Sequence, residues 1–161
     1  MRWIVVCVIG VAAAVAQLGV MPTLMREPLA APALPIAAIA AWGTLRGMPE
    51  TTPAFLLAAV VLGVASEERV GWFVLALLPT VVFVTVLNGR RGIPPIGLAA
   101  GGAAFGVVSY QAVLGLADGA PRIVIDEASL IFVAAVATAC CSTALAASLW
   151  MFRPRPAGLF E

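Results

Sequence analysis

Lysine and histidine are both absent from this 161-residue chain, and only 11% of its residues carry charge. All nine basic residues are arginine. Without lysine there is no phosphate-gripping P-loop and no Schiff base. Without histidine there is no imidazole base, no haem ligand and no histidine zinc site. The net charge of +1 leaves no basic face for nucleic acid and no acidic tail. Polar surface is equally scarce: 63% of the residues are hydrophobic, and mean hydropathy is +1.10. A soluble domain of this length needs far more polar surface, so the composition predicts an all-α, polytopic membrane protein.

Ionisable residues are missing from one more place. No Asp, Glu or Arg falls within the core of any apolar run. Such groups mark proton relays, ion pathways and coupled carriers, so none of these is expected, and catalysis inside the bilayer lacks a titratable group. Cys7, Cys140 and Cys141 lie inside apolar runs, and the adjacent pair is neither a metal-ligand nor a redox spacing. They are expected as small polarizable fillers between helices. No metal or cofactor is expected.

What the chain does have is six apolar runs, about 3–21, 29–45, 53–66, 71–87, 96–116 and 128–152, forming one membrane domain. The third is the shortest. The Glu67-Glu68-Arg69 that follows it would cost roughly 2.5–3.5 kcal/mol per residue in hydrocarbon, so that run is expected to cross and expose them. Arg2 and the Ala14-Val15-Ala16 before Gln17 imitate a cleavable leader. The apolar run continues through Leu18 to Met21, however, as an uncleaved span would.

Orientation rests on Asn88-Gly89-Arg90-Arg91-Gly92-Ile93-Pro94-Pro95. Its glycines and prolines forbid a continuous helix, and Arg90 and Arg91 hold the loop on the cytoplasmic side. Alternation then puts both termini inside. Arg2, Arg46, Arg90, Arg91, Arg153 and Arg155 fall inside and Arg26, Arg69 and Arg122 outside, six against three. Trp3, Trp42, Trp72 and Trp150 all fall near expected helix ends, at headgroup level.

Polar residues within the runs are uncharged. Gln17, Tyr110 and Gln111 are expected at comparable depth toward the outer leaflet, where they either line a small-molecule pocket or hydrogen-bond between helices. Thr80, Ser109, Thr138, Ser142 and Thr143 extend the set. Gly97-x-x-x-Gly101 and Gly102-x-x-x-Gly106 give the fifth run small faces for close packing, and Gly101 is expected to meet a facing backbone. Ala12 and Ala16, and Ala144, Ala147 and Ser148, offer similar faces. The acidic pairs Glu67-Glu68 and Asp126-Glu127 read as solvated loop charges and a helix start rather than a metal or acid–base site.

Two stretches carry a family resemblance. Leu62-Gly63-Val64-Ala65-Ser66-Glu67-Glu68-Arg69-Val70-Gly71 before apolar Trp72 to Leu87 resembles the outer turn of the bacterial rod shape-determining MreD family. Gln17-Leu18-Gly19-Val20-Met21-Pro22, with Leu34-Pro35 opening the second run, is also similar. The likeness spans the chain by hydropathy and sparse motifs. It departs at Gly63, where the family commonly carries an Asp. It implies a non-enzymatic scaffold of the cell-elongation machinery in the cytoplasmic membrane. Such a scaffold would bind a bitopic MreC-like protein and, through it, connect MreB filaments to RodA and its transpeptidase. The family's fold is similar to the substrate component of energy-coupling-factor vitamin transporters, so a vitamin-capturing subunit is the alternative, with Ala12 and Ala16 facing a coupling protein.

The arginine count makes a topological prediction. Reporter fusions after Arg91 and after Phe152 should report cytoplasm, and one after Arg69 periplasm. A cytoplasmic signal at Arg69 would remove the third and fourth spans.

Overall fold

A run of Ala, Val, Leu and Ile in hydrocarbon has no hydrogen-bond partner except its own backbone, so each run coils on itself. The computed structural model describes residues 2–24, 27–66, 69–88, 93–119 and 122–150. Among them all regular structure is helical: α1 (Arg2–Gly19), α2 (Met21–Leu24), a 3-10 turn (Pro28–Ala30), α3 (Leu34–Arg46), α4 (Met48–Ala65), α5 (Val70–Asn88), α6 (Pro95–Ala117), α7 (Ile123–Asp126) and α8 (Ala128–Trp150). The segment Trp3–Leu24 together with α5, α6 and α8 makes four helices long and apolar enough to cross a membrane. The protein is membrane-embedded. Arg90, Arg91, Glu67 and Glu68, and the loops they define, lie outside the described residues.

The expected second and third spans differ from what forms. The second is helical as α3 only from Leu34, because Pro32 and Pro35 bias the residues before them away from the α region. At 13 residues, α3 rather than the third span is the short one. The expected break from Arg46 to Thr52 contracts to Gly47 alone. Its φ of 89° is left-handed backbone that side chains resist. The chain therefore reverses in one residue, and α4 runs for 18 residues with Pro53 inside it.

α3 is the centre of the bundle. It packs against α1, α4, α5, α6 and α8, and ten of its residues are buried. Ala37, Ala38, Ala40 and Ala41 keep its girth small enough for five neighbours. Around it α1 packs on α4, α4 on α5, α5 on α6, and α6 on α8.

Glycines set the closest approaches. A Cβ on Gly10 of α1 would stand 2.7 Å from the Ala54 carbonyl of α4. One on Gly102 would stand 2.8 Å from a Val84 methyl, and one on Gly106 would run into the Thr80 hydroxyl and lie 2.7 Å from an Ile36 methyl. Thus α5, α6 and α3 interlock through the second of the two expected small faces. The first turns outward: Gly97 and Gly101 are exposed. A Cβ on Gly101 would meet only the Phe83 ring, at 3.9 Å, beside the stacked Phe83 and Phe105 rings. Among the described residues Gly101 thus meets no facing backbone. Likewise α1 buries Val6 and Ala14 while Ala12 is exposed and Ala16 half-buried, and α8 exposes Ala144, Ala147 and Ser148. Cys140 is exposed rather than a filler between helices.

The two faces of α6 respond differently to bulk. Gly106→Leu should lower stability by about 1–3 kcal/mol through overpacking, and Gly101→Leu should stay within about 0.5 kcal/mol. Thermal unfolding of the purified protein in detergent checks the contrast.

Candidate functional site

Polar chemistry inside the bundle collects where α3 begins. The first N–H groups of any helix lack intrahelical acceptors, and leaving one unpaired away from water costs roughly 2–7 kcal/mol. The Ala33 N–H donates to Thr138 Oγ1 at 2.9 Å. The Leu34 N–H donates to Gln17 Oε1, also at 2.9 Å. Pro35, next in line, has no N–H to satisfy. Side chains from α8 and α1 therefore close the embedded end of α3 from two sides. The Thr138 hydroxyl donates in turn to the Ala134 carbonyl at 2.6 Å, which leaves its oxygen free to accept. Because Gln17 Oε1 faces a donor, its Nε2 is fixed on the other side.

Beside this cap lies a cavity of about 20 Å³, lined by Gln17 and Tyr110 with Ala33, Pro35, Ile36, Leu62 and Leu77. The Tyr110 ring packs at 50° to Phe73, centroids 6.3 Å apart. Of the three residues expected at one depth, Gln17 and Tyr110 meet here, and half-buried Gln111 is not part of the lining.

The remaining hydroxyls mostly serve the backbone. Ser142 donates across to the Ala99 carbonyl of α6 at 3.2 Å. Ser109 donates to Phe105 and Gly106 and Thr143 to Cys140, within their own helices. Thr80 Oγ1 is buried without a hydrogen-bond partner. It faces Gly106, where a Cβ would run into it.

Two other regions complete the molecule. Near the Gly47 reversal, Trp42 Nε1 and Glu50 Oε2 are buried without hydrogen-bond partners. Trp42 and Thr51 line a second cavity of about 10 Å³ between α1, α3 and α4. Trp42 therefore points into the bundle, whereas Trp3 and Trp150 are exposed. On the outer surface, α6 and α8 bound an open apolar groove of about 560 Å³ whose lining includes Ala100, Ala104, Phe105, Phe132, Ala139 and Cys140. Among the described residues no three of Cys, Asp and Glu come together as a metal site.

No family model, no curated protein and no solved structure matches this chain.

Sequence reasoning did not single out the α1–α4 contact at Gly10 or the capping role of Thr138. The signal for Thr138 was indirect: a proline break inside an apolar run requires a donor or acceptor from elsewhere. At Gly63 a Cβ would stand 2.7 Å from the Val70 Cα across the α4–α5 turn. There is no room at that position for an acidic side chain, so Gly63 closes the turn.

Gln17→Leu would leave the Leu34 N–H buried and unpaired, at a cost of about 1–3 kcal/mol. Amide hydrogen exchange should rise at Leu34 and Ala33 ahead of the rest of α3. Unchanged protection at both would mean that the cap contributes nothing.

Proposed function

We propose that this protein is a non-enzymatic membrane scaffold, similar to the MreD family, that binds a single-span MreC-like partner. Through that partner it would join the peptidoglycan-synthesising elongation machinery of the bacterial cytoplasmic membrane, with MreB, RodA and its transpeptidase. Both termini would be cytoplasmic. The observation that carries the reading is how the interior polar groups are engaged. Gln17, Thr138 and Ser142 hydrogen-bond the backbone of neighbouring helices, so they hold the bundle in shape. The two resembling stretches, around Gln17 to Pro22 and Leu62 to Gly71, give the family its name here.

The second reading, a vitamin-capturing subunit with the energy-coupling-factor substrate-component fold, draws on the same cluster. Gln17 and Tyr110 line one cavity, Thr138 bonds the Ala33 N–H beside it, and Ala12 on α1 is exposed. The cavity between them has about 20 Å³, against the roughly 300–1,000 Å³ of pockets for drug-sized ligands. That contrast favours the scaffold.

Affinity purification from a native membrane, followed by mass spectrometry of proteins and of bound small molecules, separates the two. The expected result is a single-span partner, altered cell width on depletion, and retained function in the double variant Glu67→Gln, Glu68→Gln. A stoichiometric vitamin without such a partner would favour the transporter subunit instead.

A further inference from the structure

We propose that the cavity at the start of α3 is a hydrated site, holding one ordered water molecule between Tyr110 Oη and Gln17 Nε2. A water needs about 10–15 Å³ and two to four polar partners. The cavity offers about 20 Å³, which is room for one. Gln17 has already turned its oxygen to the Leu34 N–H. Its amide donors are what remains, and the Tyr110 hydroxyl can both donate and accept. Ile36 contributes to the same wall and carries a first-turn N–H with no intrahelical acceptor.

The other lining side chains, Leu62, Leu77, Ala33 and Pro35, are apolar and make no demand of their own. They also choose the ligand's charge. Among the described residues no Arg, Asp or Glu lines the cavity, and an ion held there without a counter-charge would bear the desolvation cost alone. The site therefore takes a neutral molecule the size of water rather than a halide. This inference stands apart from the scaffold reading and survives or fails independently of it.

Tyr110 is the only tyrosine in the chain, so tyrosine labelled with carbon-13 in its ring reports this site alone. In the full-length protein in nanodiscs, magnetisation should pass from water to the Tyr110 ring, equally in chloride-free and chloride-containing buffer. Gln17→Leu, which removes the second anchor, should cut that transfer severalfold. Ala33→Val keeps both polar groups but fills the cavity wall, and it should have the same effect if the Gln17 variant does not fold. Three results would each overturn the proposal: no transfer in the unaltered protein, undiminished transfer in a folded variant, or transfer that depends on chloride.

Discussion

Hydrocarbon offers no hydrogen bonds, and the arrangement of this bundle follows from how it meets that constraint at one point. A continuous span satisfies its own backbone everywhere but at its ends. The second span is not continuous. Prolines at 28, 32 and 35 interrupt it, so α3 starts only at Leu34, with first-turn amides that need acceptors from other helices. Gln17 and Thr138 supply the missing acceptors from opposite neighbours, and Ala33 and Leu34 thereby fix where α1 and α8 stand relative to α3. Removing either acceptor loosens three helices at once.

Once α3 is placed, the rest packs by size. Its alanines make it narrow, and glycines on α1 and α6 let backbones come close enough for dispersion to replace the hydrophobic effect, which is weak between helices already in lipid. The polar side chains inside are few and mostly bound to backbone. The packing leaves an open apolar groove between α6 and α8 unfilled.

Six long helices and their approximate limits were legible because uncharged runs broken by Gly, Pro and Arg coil on themselves in a membrane, although only four of them are long and apolar enough to cross it. Which face of each helix turns inward was not. α4, α5, α6 and α8 are apolar on all sides, so periodicity does not distinguish lipid from neighbour, and Gly97-Gly101 looked no different from Gly102-Gly106. The choice was made in three dimensions, by Thr80 and Val84 on α5 and Ile36 on α3. The pairing of Gln17 with Tyr110 was partly visible from their common depth. Thr138 was noted only as a polar residue, because its partner is a backbone group more than a hundred positions away. The one-residue reversal at Gly47 was hidden by Pro49 and Glu50, which read as loop, and by Pro53, which read as the start of the third span; all three lie in the first turns of α4.

That reversal has a consequence for how the chain enters the membrane. With 13 residues, α3 extends about 20 Å, short of the roughly 30 Å hydrocarbon core. Alone it is a poor candidate for partitioning into lipid as it leaves the translocation channel. Gly47 gives it no slack to wait on the surface, since α4 follows immediately. The two helices should therefore partition together as one hairpin, with α1 already in place to offer Gln17. The α8 contact from Thr138 comes only after α4, α5 and α6 have been made. Until then α3 is buried on one side and half-finished on the other, so α8, the last helix among the described residues, seals the middle of the fold.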